Sequence, residues 1–193
     1  MAERTSSYHH GDLPTALVRS AMEMLDEDGA VELSLRAVAR RAGVSSAAPY
    51  RHFPDRTALL SAIAAVGYRQ LMTELTAQHP APANPEDLAD LGVAYVEFAL
   101  SRPGLFRVMF AEGCDRTSPE RVAAVEAIHA YLGAAVERIF DTDDPSAVAT
   151  GAWSLVHGLA FLFLDGKLDA DSRDAVDARV RHTITTLLSA QTA

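Results

Sequence analysis

The sequence predicts an all-helical protein of about nine helices, and three observations carry that expectation. Ala and Leu are abundant, and no long alternating run of Val, Ile and Thr supplies a strand. Side-chain acceptors stand beside prolines at Asp12-Leu13-Pro14, Asn84-Pro85, Ser118-Pro119 and Asp144-Pro145. These read as helix starts, because proline in a first turn has no N–H to lose. Gly29, Gly43 and Gly166 fall where helical periodicity stops, the place for a left-handed terminal residue.

In chain order the helices are expected at 13–28, 34–42, 45–52, 55–79, 85–101, 103–111, 118–140, 145–166 and 171–190. Ser34, Ser45, Asp55 and Asp171 are further cap candidates. His79-Pro80-Ala81-Pro82-Ala83-Asn84-Pro85 is a proline-rich connector between two helices. Hydrophobic residues make up 49% of 193, enough for a sizeable core and too many for global disorder. Cys114 is the one cysteine, which excludes an intrachain disulfide and a multi-cysteine zinc site. A lone thiol and a polar first segment point to a cytoplasmic protein. The longest unbroken apolar run, Leu159 to Leu164, is too short to span a bilayer, so no membrane partner is expected.

The net charge of −9 argues against nucleic acid until its distribution is considered. Residues 1–56 hold seven arginines against eight acids, so nearly all the excess negative charge lies in 57–193. Arg36, Arg40, Arg41, Arg51 and Arg56 share one short stretch with a single acid, Asp55. A basic face on an acidic body can hold phosphates while keeping non-specific binding low. Within that stretch, Leu35, Val38, Ala39 and Ala42 form one helical face, Gly43 makes the turn, and Val44 plugs the corner. Ser45 then opens a second, short helix that is too polar to be explained by core burial. Two short helices about a glycine turn make a helix-turn-helix over 34–53, and a generic helical hairpin is the competing reading.

The run Arg36-Ala37-Val38-Ala39-Arg40-Arg41-Ala42-Gly43-Val44-Ser45, followed by Tyr50-Arg51-His52-Phe53 and Leu59-Leu60, resembles the DNA-binding domain of the tetracycline-repressor (TetR) family. The resemblance implies a division into residues 1–56, a three-helix DNA-binding domain, and 57–193, an effector-binding and dimerisation bundle. It implies a transcriptional regulator, most often a repressor, with double-stranded operator DNA and a second copy of the chain as partners. Tyr50 and His52 would contact phosphates and Ser45 the backbone. Ser46, Ala47, Ala48 and Arg51 would lie at base edges. Ser34, Arg36 and Arg56 complete the candidate DNA-binding set. Two departures stand out. Arg56 replaces the family's usual lysine, and Pro49 lies inside the recognition helix, where it removes a hydrogen bond.

Trp153-Ser154-Leu155-Val156-His157-Gly158 and the segment from Arg102 to Phe110 resemble a recurrent ligand domain of the same family. An effector cavity is expected among Tyr68, Met72, Tyr95, Phe98, Phe106, Phe110, Trp153 and His157, with ordinary core packing as the competing explanation. The effector is expected to be small and mainly apolar, since few charges fall among these positions. Helices 145–166 and 171–190 carry apolar residues on more than one face. The resemblance assigns Leu155, Leu159, Leu162, Phe163, Val176, Val180, Ile184 and Leu187 to a four-helix dimer interface.

An enzyme is the alternative from another class, together with a helical carrier that has no DNA-dependent function. No Gly-x-Ser-x-Gly elbow, His-Glu-x-x-His pair or phosphate loop is present. Ser154 and His157 share a helix, but no acid stands beside them in the sequence. His9 and His10 are adjacent and lack further ligands, so no metal or other cofactor is expected.

Overall fold

A computed structural model describes residues 13–28, 33–110, 113–115 and 117–189. The expectations for His9, His10, the Asp12 cap and the Gly29 terminus lie outside these residues. Eight α-helices are present among them: α1 Leu13–Asp28, α2 Leu35–Arg41, α3 Arg56–Gln78, α4 Pro85–Ser101, α5 Pro103–Phe110, α6 Pro119–Ile139, α7 Pro145–Leu164 and α8 Arg173–Ser189. A three-residue 3-10 turn, Pro49–Arg51, stands between α2 and α3.

Local chemistry sets most of the boundaries. Ser34, Asp55, Asn84 and Asp144 each accept a hydrogen bond from the backbone N–H three residues on, at 2.8–3.1 Å. This satisfies one of the donors that a helix start leaves open. At α8 the cap is Ser172, whose hydroxyl oxygen accepts from the Ala175 N–H at 3.2 Å, not Asp171. Ser118 precedes α6 without a side-chain cap bond. Gly43 has φ +71° and Gly166 φ +64°, conformations that a side chain makes costly.

The expected helix at 45–52 is not an α-helix. Pro49 has no N–H to give the Ser45 carbonyl, which instead accepts from Ala48 at 3.0 Å. The chain continues through three-residue bonds from Arg51 to Ala48 and from His52 to Pro49. The recognition segment is therefore a turn followed by a 3-10 turn.

In the body, α4 lies at the centre and packs against α3, α5, α7 and α8, while α3 packs against α1, α5 and α6. One hydrophobic core runs from Leu17 in α1 to Ile184 in α8, and α3 crosses the expected boundary at 56/57 without a break. The ion pairs Arg102–Glu74 (2.9 Å), Arg107–Asp165 (2.5 Å) and Arg181–Asp90 (2.5 Å) lie around its surface. Each is worth about 0–1 kcal/mol, so burial of the core carries the stability. Among the described helices, α7 alone is long and apolar enough by composition to cross a membrane, with a mean hydropathy of 1.7 over its window. Counting only unbroken apolar runs passed over it, because glycine, serine and histidine interrupt the run. Its sides are engaged by α4 and α6.

Candidate nucleic-acid interface and interior cavity

Around Gly43, the fold presents Ser45, Ser46, Ala47, Tyr50, Arg51 and His52 on the surface, with Arg36 and Arg40 exposed on α2. Tyr50 is 48% exposed. Beneath it, buried Pro49 and Phe53 anchor the segment to the core. Ala48 is half-buried. The candidate set lies between α2 and the start of α3 and is mostly exposed, with two members already engaged. Ser34 spends its oxygen on the Ala37 N–H, and the Nε of Arg56 donates to the Leu33 carbonyl at 2.9 Å. Arg41, which belongs to the basic run, turns away to make a two-pronged pair with Glu27 at 2.5–2.6 Å, and Glu23 lies 3.6 Å off. That pairing holds the Glu27 carboxyl below its ordinary range.

The candidate ligand residues divide into two groups. Phe98 and Phe106 are fully buried, and the Arg102 guanidinium lies 4.8 Å over the Phe98 ring. Phe106 and Phe110 are 4.7 Å apart, and Phe110 stands the same distance from His157. Tyr68 meets Phe110 edge-on at 5.3 Å and donates its hydroxyl hydrogen to the Met109 carbonyl at 2.9 Å. Tyr68, Phe106, Phe110 and His157 form an aromatic knot between α3, α5 and α7, and neither they nor Phe98 line the cavity. Met72 is half-buried on α3 and does not line it either. Burial pushes the Tyr68 and Tyr95 hydroxyls up and the His157 imidazole down, each away from its charged form. His157 is therefore neutral at pH 7. Its Nδ1 lies 2.9 Å from the Tyr95 hydroxyl.

A cavity of about 630 Å³ lies beside the knot, bounded by α4, α6, α7 and α8, with Leu75 of α3 also in the wall. Of the expected residues only Tyr95 and Trp153 reach it; the rest of the wall is largely aliphatic, including Leu91, Ile128, Leu132 and Val156. No local signal marked these residues, because apolar positions at helical spacing look the same whether they meet a neighbour or a void. Gly92 explains how the wall closes. A Cβ there would collide with the Cδ1 of Ile184 and come 3.2 Å from Val156, so only glycine lets α7 and α8 side chains approach α4 so closely.

The residues assigned to a dimer interface are mostly spent within the chain. Leu159 and Phe163 on α7, and Val176, Val180 and Ile184 on α8, are buried. They belong to the core built around α4. Leu155 is half-buried at the cavity wall. Only Leu162 (44% exposed) and Leu187 (49%) remain outside. Apolar residues on two faces left the choice of face open, and α4 takes the one assigned to a second chain. On α7 the open face is instead Ala147, Gly151, Ser154, Gly158 and Leu162.

A Gly43 turn presenting an exposed polar segment, backed by a helical bundle with an interior cavity, defines a helix-turn-helix regulator with a binding domain. The comparisons with known proteins narrow this. Residues 17–63 match the family described as bacterial regulatory proteins, tetR family, and residues 88–187 match the tetracyclin repressor-like C-terminal domain. The chain belongs to the TetR family and is a DNA-binding transcriptional regulator, not an enzyme. A structure of a protein of unknown function from Rhodococcus sp. RHA1 is 34% identical, with 93% of this chain and 96% of that one covered and a TM-score of 0.75. An uncharacterized HTH-type transcriptional regulator of Mycobacterium tuberculosis is 24% identical over 83% of this chain and 74% of its own length. A single-residue variant of TetR from Acinetobacter baumannii AYE, in complex with minocycline, shares the fold at 22% identity and a TM-score of 0.65, covering 91% and 94% of the two chains.

Proposed function

We propose that the chain is a homodimeric repressor that binds a palindromic operator and is released by a small molecule held in the cavity. The observation that carries this reading is the exposed cluster from Ser45 to His52 on the Gly43 turn, with Arg36 and Arg40 beside it. In this reading residues 1–56 hold the DNA and 57–193 the effector and the partner. Tyr50, His52, Arg36 and the Ser45 backbone hold phosphates, while Ser46, Ala47, Ala48 and Arg51 meet base edges in the major groove. Ala47 and Ala48 offer apolar contact to thymine methyl groups. Ser34 and Arg56 support the set by fixing the starts of α2 and α3.

The open α7 face of Ala147, Gly151, Ser154, Gly158 and Leu162, with Leu187 of α8, forms the twofold contact. Its small residues let a second helix approach, and its apolar character needs a cover. Two recognition segments then sit about one helical turn of DNA apart, or somewhat more. The cytoplasm, where the DNA is, is the place of action. The minocycline bound by the Acinetobacter relative supports a small-molecule effector as a class.

Selection from genomic DNA at low salt tests the reading, and an enriched palindrome is expected. Tyr50→Ala then weakens binding to all sequences. Arg51→Ala costs about 1–3 kcal/mol and relaxes preference at one position. Leu162→Glu yields monomers in sedimentation and loses the operator. A selection that enriches no site, or a wild-type chain that sediments as a monomer at micromolar concentration, rules the reading out.

A further inference from the structure

The cavity wall carries no charge and few polar atoms. Among the described residues lining it, none is Asp, Glu, Lys, Arg or His. Three side chains carry polar tips, and each meets another group of the protein. The Trp153 indole N–H interacts with the Tyr95 hydroxyl. The Tyr95 hydroxyl and Nδ1 of His157 share a hydrogen bond at 2.9 Å. Tyr131 donates to the backbone carbonyls of His79 and, at 3.4 Å, Leu75. A carboxylate, phosphate or sulfonate placed here finds no cation, and a buried charge without a partner is strongly disfavoured. An ammonium finds no carboxylate.

The mouth does not relieve this. Exposed Ala147, Gly151 and Leu187 border the cavity, and they lie on the face that the reading above gives to the second chain. A charged head is thus denied water as well. We infer that the effector is an uncharged, hydrocarbon-rich molecule, held on the wall chiefly by apolar contact. This rests on the cavity being the effector site and on the α7 face being covered in the dimer. The volume suits a molecule of drug-like size.

Trp153 is the one tryptophan and stands in the wall, so the protein carries its own reporter. The test uses matched fluorescent probes on the full-length dimer without DNA. N-phenyl-1-naphthylamine is neutral, and 8-anilinonaphthalene-1-sulfonate is the same skeleton with a sulfonate. Diphenylhexatriene and its trimethylammonium derivative form the cationic comparison. The neutral members are expected to take energy from Trp153 and saturate at one per chain, with each charged member at least tenfold weaker by that same signal. Leu91→Phe from α4 and Ile128→Phe from α6 fill the space and should each lower the neutral probe's affinity, with circular dichroism checking the fold. Equal or tighter Trp153-sensitised binding of either charged probe overturns the inference. So does undiminished neutral binding in both folded variants. Adding the neutral probe to the operator complex is a separate measurement. Probe bound with the operator retained defeats ligand release and leaves the ligand class standing; a charged probe that binds tightly and frees the operator does the reverse.

Discussion

Two neighbouring interiors of the body are built on opposite terms. The aromatic knot of Tyr68, Phe106, Phe110, His157 and Phe161 fills its space, with adjacent ring centres 4.7–5.9 Å apart. The chamber beside it is walled largely by branched aliphatic side chains from five helices and stays open at about 630 Å³. Tyr95 belongs to both: its ring meets Phe106 edge-on at 5.6 Å, and it also lines the chamber. The difference teaches that ring-rich and void-forming segments are not the same segments. Aromatic residues supply enough area to close a gap, while short aliphatic residues held apart by helix backbones do not.

Four substitutions break or sharpen this contrast, taken from the largest effect down. Phe106→Ala removes a fully buried ring from the knot and should cost about 3–5 kcal/mol in urea unfolding. Leu132→Ala on the chamber wall should cost about 2 kcal/mol, the low end for such a change, because the side chain is half-buried and already faces space. A larger loss for Leu132 than for Phe106 would erase the distinction between filled and open. Gly92→Ala drives Ile184 into the chamber. Overpacking of about 1–3 kcal/mol is offset by about 1 kcal/mol of helix propensity, so stability should move little while the affinity for N-phenyl-1-naphthylamine falls. Unchanged affinity, read by Trp153 energy transfer, would mean that Ile184 moves elsewhere. The smallest effect is one of pH. Burial holds the His157 imidazole below its ordinary 6.5, so the unfolded chain binds more protons than the folded one in the window beneath that value. The contribution is complete above 6.5 and is lost as pH falls. His157→Gln should flatten the decline in melting temperature on acidification, and an unaltered slope would place the titration in another group.

The sequence was most legible where structure is decided within a few residues. Asn84, Asp144, Asp55 and Ser34 were readable as caps because the bond each makes spans three positions. Gly43 was readable because its turn requires a positive φ. Pro49 was flagged for the bond it removes, but not for ending α-helical structure in the recognition segment altogether. Residues whose role depends on a distant helix were not legible. Val180 and Ile184 look like an interface until α4 is seen to cover them. Phe98 and Phe110 look like pocket residues until their neighbours are seen to fill the space. Leu91 and Val156 gave no sign of the void, because a void is a shortfall of packing among five helices and belongs to none of them.

The two fastenings of α3 have a mechanical consequence. Near its start, Arg56 is tied to the Leu33 carbonyl, so the segment entering α2 travels with the helix. Farther along, Tyr68 is pinned to Met109 of α5 by a buried bond. Between these points the helix is a rigid arm of about 18 Å, at about 1.5 Å of rise per residue. A swing of about 5° about Tyr68 displaces the far end by about 1.5 Å, several times the few tenths of an ångström that separate a good hydrogen bond from a poor one. DNA has fixed groove spacing, so in a twofold assembly the operator acts as a ruler laid across two such arms, and it registers angles too small to disturb the packing around α4.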